Sequence, residues 1–370
     1  MDVFVADPEW GWWIILYFYL GGIAAGAYFT ATLVGLIGAP EDQVVSRWGF
    51  RLAFPLIILC AIFLTVDLNR PERFWHMLFR SEIAHAALEA GWPFSGRGWQ
   101  LMVEAPLLKY WSPMSIGSWA LTLFGVCSFL SFVGSLWPEG RLASWFTQGA
   151  LARIIEAVGC VVGFFVASYT GALISATNQP LWSDNNWIAP LFLTSAASTG
   201  LAMLLLLCRL NLGDADRAMH RLQSADLWAI ALEAAAFVMF VVALLPWLQT
   251  VWATTQGKLL LVGVPILSVL LPFGIHLAHR SLGPSSVTAA AVIALVGGFL
   301  LRYSILHTAP EILARAPELP APAVQPEPPP LLTGFSPEDK RPAGGGQGAD
   351  PGNYVGDVSQ VQPRTKLGRE

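Results

Sequence analysis

Eight long apolar stretches dominate the chain, at about residues 11–37, 50–68, 114–137, 149–174, 187–209, 226–250, 258–279 and 285–306. Each approaches or exceeds the roughly 20 apolar residues a helix needs to cross a hydrocarbon core. Backbone N–H and C=O groups find no water in lipid, so such stretches must satisfy their hydrogen bonds internally, as helices. Only 12% of residues are charged, against about 25% in an ordinary soluble domain. The expectation is an all-α fold, a polytopic transmembrane bundle of about eight spans over residues 1–308. From 309 to 370 the composition changes to "PELPAPAVQPEPPPLL" and "RPAGGGQGADPGN". That Pro/Gly-rich run cannot bury a core, and we expect a disordered tail.

The same composition removes several functions. A net charge of −4 without a dense basic patch argues against nucleic acid as a partner. The four cysteines (Cys60, Cys127, Cys160, Cys208) lie inside apolar stretches, and no C-x-x-C occurs. The chain therefore has no framework for an iron–sulfur cluster or a covalent haem. Transmembrane haem needs paired histidines inside the bundle, whereas His276 alone falls within a span. We expect no intrinsic haem or metal. No P-loop is present, which weighs against an ATP-driven pump. The first ten residues are acidic and carry no Lys or Arg, unlike a cleavable signal peptide.

Eight spans put both termini on one side. The connections on the other side are short and basic, with Arg47, Arg51, Arg141, Arg153, Arg209, Arg217, Arg221 and Arg280. The positive-inside rule then places both termini outside the cytoplasm. In that arrangement the start of span one, the end of span two, the segment 69–113 and the end of span four share the outer face.

The residues that need a reason gather there. Span two ends in "TVDLNRPERFWHML", which packs Asp67, Asn69, Arg70, Glu72, Arg73 and His76 into ten positions beside Phe74, Trp75 and Met77. Headgroup anchoring by the arginines and helix capping by Asp67 would account for part of it. Ionisable groups at a span end also mark substrate and proton paths. A quinol gives up two protons with its two electrons, so its site needs acceptors such as Asp67 or His76. Tyr169, near the outer end of span four, can bond a quinone oxygen, with Asn178 and Arg70 as further polar contacts; a belt tyrosine at the interface is the plainer reading. Glu156 and Glu233 lie deeper, toward the basic face, as a proton path or as structural pairs, Glu156 with Arg153 one turn away. The spacing of Gly22 and Gly26 in "YLGGIAAGAYF" lets helix backbones approach closely and puts span one at the centre of the bundle.

The order of "YLGGIAAGAYF", "DLNRPERFWHML", "SPMSIGSW", "SYTGALISATNQPLW" and "GGFLLRYSIL" resembles the NrfD/PsrC-type polysulfide reductase membrane-subunit family over most of residues 10–307. The resemblance implies a quinone-reactive anchor in the bacterial inner (cytoplasmic) membrane. Such an anchor passes electrons between menaquinol or another quinol and an iron–sulfur ferredoxin-like subunit. That partner in turn serves a molybdopterin catalytic subunit or a multihaem cytochrome c, and some relatives are thought to couple this to proton movement. By motif, Tyr169 matches the tyrosine that bonds the quinone head group. Where a described relative has a histidine on span one, alignment on "LGG" puts Trp13. An indole N–H donates but takes up no proton, which moves proton acceptance to Asp67 or His76. The competing readings are a proton- or ion-translocating module without quinone chemistry, and a purely structural anchor.

Overall fold

A computed structural model describes residues 10–38, 42–104, 109, 111–136, 149–177, 179, 181–212, 217–283 and 285–315. The described residues hold eight helices long and apolar enough to cross a membrane. They are Trp12–Ile37, Gln43–Asp67, Pro113–Leu136, Gly149–Ser175, Ile188–Asn211, Arg217–Ala243, Thr255–Leu277 and Ser285–Ala314, numbered spans one to eight here. No strand occurs among the described residues. The protein is a polytopic helical membrane protein. Residues 316–370, where the sequence suggests a disordered tail, lie outside the described residues.

Four helix ends depart from the apolar stretches, for physical reasons. Span two starts seven residues before the apolar stretch, so Arg47 also sits on the helix, and Arg51, one turn on, donates from Nη2 to the Ser135 carbonyl at 2.6 Å. Span six starts at Arg217, which puts Arg217 and Arg221 on the helix rather than in a connection and moves Asp226 from its edge to its interior. It stops at Ala243 because Pro246 lacks an N–H and turns the chain into a 3-10 segment, Leu245–Trp247. Span eight runs on to Ala314, and its Glu311 carboxylate accepts from the N–H groups of Thr255 and Gln256 at 2.9 Å each. A carboxylate there satisfies two donors that the first turn of span seven leaves unpaired. Span seven itself widens to π-helix over Leu259–Gly263 and Pro265–Leu270.

Spans one, five and eight form the centre: 61–67% of their apolar windows is buried, against 28–39% for the other five. Glycines allow it. A Cβ on Gly26 would collide with the Ala196 carbonyl of span five, and one on Gly200 would collide with the Gly26 backbone. The two helices therefore cross backbone to backbone, as the small-residue spacing leads one to expect. Span one is also tied outward by polar side chains. Tyr28 Oη and Ser131 Oγ of span three lie 2.9 Å apart, and Tyr19 Oη donates to the Leu295 carbonyl of span eight at 3.0 Å. The link between spans four and five is pinned by Trp182 Nε1 to the Ile305 carbonyl and by Asn185 Nδ2 to the Phe240 carbonyl. Between spans two and three, a 3-10 turn (Pro71–Met77) packs on the ends of both spans, and two short helices (Ser81–Glu89, Gly96–Glu104) pack on each other.

Candidate functional site

At the end of the bundle where span one begins and span eight ends, a cavity of about 650 Å³, counting its open mouth, lies between spans one, two, three and four. Its walls are Trp10, just before the first span, with Ile14, Tyr17 and Phe18 on it; Leu64 and Asp67 of the second span and Leu68 just after it; Met77, Met114, Gly117 and Ser118 around the third; and Tyr169 and Leu173 from the fourth. Most of these groups are apolar, and a few hydroxyls and one carboxylate face them. That is the usual composition of a small-molecule site.

Tyr169 is buried, at 8% exposure, and its hydroxyl donates to the Pro113 carbonyl at 2.5 Å. Its proton is thus engaged, and its oxygen lone pairs are what it offers to a ligand. The ring fits only because residue 117 is glycine. A Cβ there would overlap Tyr169 Cε1, Cζ and Oη. Phe165 stacks on the other side, ring centroids 5.6 Å apart. Asp67 is the last residue of span two and half-buried at the cavity wall. Tyr17 is 4% exposed, with its backbone carbonyl 3.7 Å from Cys60 Sγ. Trp10 closes the side toward span five, stacked on Trp182 at 5.6 Å.

Of the residues singled out in the sequence, the fold brings Asp67 and Tyr169 to one cavity. Trp13 is not in its wall: the indole is 43% exposed and packs on Phe63 at 5.5 Å. At about 100° of rotation per residue, Tyr17, Ile14 and Phe18 make up the arc of span one that faces the cavity, and Trp13 lies at the edge of that arc, turned onto Phe63. His76 is half-buried against Trp75, outside the wall, and its backbone carbonyl accepts from Lys109 Nζ at 3.0 Å. Arg70 is exposed near the mouth, and Asn178 lies outside the described residues. Glu156 and Glu233 are not brought together. Glu156 lines a polar pocket at the opposite end with Gln43, Ser46 and Arg153. No ion pair within 4 Å joins it to Arg153 among the described residues. Glu233 is 1% exposed, beside Ser195 and Ser198 of span five and Arg302 of span eight.

Tyr17, Trp10 and Gly117 were not singled out in the sequence, and neither were Asp226 and Arg302. Arg302 had a visible signal, as a lone cation inside the apolar run "GGFLLRYSIL". Tyr17 had none, because three aromatic neighbours surround it and only the rotation of span one selects it. No cluster of three or more metal-ligating side chains occurs among the described residues.

An eight-span bundle with an apolar cavity at one end, lined by a carboxylate and tyrosines, defines a polytopic membrane protein with room for a small molecule. The family model described as "Polysulphide reductase, NrfD" matches residues 6–314, and the chain belongs to that family. It is 28% identical over 326 residues to a polysulfide reductase chain of Wolinella succinogenes, covering 80% of this chain and 93% of that protein. To Protein NrfD of Escherichia coli it is 24% identical over 334 residues, 80% of this chain and 94% of that protein. A selenate reductase subunit of Mesobacillus selenatarsenatis is 31% identical over 78 residues, 21% of this chain and 18% of that protein.

Proposed function

We propose that the protein is the quinone-reactive membrane subunit of a respiratory reductase complex, oxidising or reducing menaquinone or another quinone at the outer face of the bacterial inner membrane. The observation that carries this reading is the shared cavity of Asp67 and Tyr169, walled by Ile14, Phe18, Leu64 and Leu173. Two of the relatives are named as components of polysulfide and selenate reductases. A quinol bound there would supply two electrons and two protons. The apolar wall holds the ring and the start of an isoprenoid chain. Tyr169, its own proton committed to Pro113, accepts from a quinol hydroxyl. Asp67, at the mouth, takes a released proton and passes it outward past Arg70 and His76.

Carboxylates and hydrogen-bonded tyrosines do not store an electron pair, so a partner must receive it. The reading assigns that role to an iron–sulfur ferredoxin-like subunit docked at the outer face. Behind it would stand a molybdopterin catalytic subunit or a multihaem cytochrome c. Both termini are then extracytoplasmic, in line with the basic opposite connections. Glu233, buried at the centre, and Glu156, at the inner pocket, are proposed to serve proton movement, by separate routes. The test is to purify the complex, identify co-purified quinone, and measure quinol-dependent turnover in Asp67→Asn and Tyr169→Phe. Loss of turnover at limiting quinol with intact assembly supports the site. Unchanged turnover in both variants, or a complex without quinone, would refute it.

A further inference from the structure

Away from the outer cavity, four ionisable side chains are buried among spans five to eight. Asp226 of span six and His276 of span seven face each other, Oδ2 to Nε2 at 2.9 Å, with side chains 0% and 2% exposed. Glu233 lies seven residues farther along span six, two helical turns or about 10 Å. Arg302 is 1% exposed and donates to the Gly298 carbonyl at 2.7 Å, to Ser195 Oγ at 2.9 Å and, through Nε, to the Phe18 carbonyl at 3.3 Å. Both Asp226 carboxylate oxygens, His276 Nε2, both Glu233 carboxylate oxygens and Ser198 Oγ meet no partner in good hydrogen-bond geometry among the described residues, so Asp226 and His276 are close but not aligned as a hydrogen bond. The remaining titratable groups against this set are Tyr19, under the Arg302 guanidinium, and His279, whose Nδ1 lies 2.8 Å from the His276 carbonyl.

The charges do not balance unless a proton is counted. With both carboxylates ionised and the imidazole neutral, two negative charges face one positive. A buried, uncompensated charge in a membrane interior is costly. Arg302 is the cation beside Glu233 and offsets its charge without direct contact, since no ion pair within 4 Å joins them among the described residues. Asp226 has only His276 within ion-pair reach among the described residues. One proton on this second pair makes both pairs neutral.

We infer that Asp226 and His276 form a site that binds one exchangeable proton within the membrane. The pair lies toward the end of span seven opposite the outer cavity, beside the basic connections. The proton stays on an imidazole nitrogen or a carboxylate oxygen of the pair; its transfer to Glu233 crosses two turns and takes a bridging hydroxyl or water. Arg302 connects this region to the outer cavity, since the carbonyl it holds belongs to Phe18, which lines that cavity. The site itself does not depend on the quinone reading; only its coupling to turnover does.

The experiment has two arms on the intact complex. Infrared difference spectra across a pH step, in H₂O and D₂O, read the pair without any quinol. Wild type should show an exchange-sensitive carboxyl or imidazolium signal that is lost in Asp226→Asn and in His276→Gln. In sealed vesicles with a pH-sensitive dye, Asp226→Asn should abolish proton uptake from the basic side while quinol oxidation continues. A pH-step spectrum identical to wild type in both variants overturns the site, as does a signal that follows sodium concentration rather than pH. Unchanged proton uptake in Asp226→Asn overturns its use in turnover. If wild type oxidises no quinol, the proposed function fails while the infrared arm still decides the proton site.

Discussion

Gly117→Ala is the sharpest test of the cavity that Asp67 and Tyr169 share, because it adds one carbon whose nearest neighbours are the Tyr169 ring and hydroxyl. The new Cβ would overlap the Tyr169 ring and that hydroxyl. Apolar contacts settle near 3.5–4.0 Å, so the ring must retreat by roughly 1 Å or more. Phe165 is stacked on its other face, which limits where it can go. Overpacking of this kind typically costs about 1–3 kcal/mol, and the bond to Pro113 is stretched as the hydroxyl moves. If the displaced hydroxyl costs quinol about 1.4 kcal/mol of binding, KM rises about tenfold. The assay is quinol-dependent turnover of the purified complex over a range of quinol concentrations, with thermal stability followed in parallel. Gly125→Ala on the same span is the control. Its Cβ would have Ile57 Cγ2 at 3.6 Å as nearest neighbour, an ordinary contact. A Gly117→Ala complex with wild-type KM, or one no worse than Gly125→Ala, would refute the placement of the quinol against Tyr169.

Three further outcomes are expected. Tyr169→Phe removes the acceptor oxygen and the bond to Pro113, so turnover at limiting quinol should fall several-fold with assembly intact; a hydrogen bond contributes about 1 kcal/mol, which sets that scale. Gly26→Val forces apart two backbones that touch, and the folded subunit should be lost from detergent extracts, as judged by size-exclusion chromatography. Arg302→Met removes the cation beside Glu233 and leaves the groups it bonds unsatisfied. It should destabilise the protein by about 1–3 kcal/mol, and adding Glu233→Gln should restore part of the loss; a double variant as unstable as the single would show that Arg302 acts through its bonds to Ser195, Gly298 and Phe18 and not through Glu233.

The sequence by itself determined the architecture. Eight apolar stretches in a medium without water leave the backbone no alternative to helices, and the spacing of Gly22 and Gly26 already marked span one as a helix that others approach closely. It also brought Asp67 and Tyr169 under suspicion, since each is a polar group at a span end where apolar residues are the rule. What it could not determine is rotation. Trp13, Ile14 and Tyr17 are equally apolar or aromatic in the one-dimensional chain, and only packing against spans two, four and five decides that Tyr17 faces the cavity and Trp13 does not. Helix ends were hidden for a related reason: hydropathy records the part of a helix that meets lipid, not its full length, so Asp226 read as the edge of a span although it lies nine residues inside one. Pairings were beyond reach altogether. Asp226 and His276 are 50 residues apart in sequence, and Arg302 meets the Phe18 carbonyl across 284 residues. The tertiary structure alone made those contacts, because in a bundle the partner of a buried charge commonly comes from a different helix, and nothing local in the chain encodes which helices are neighbours.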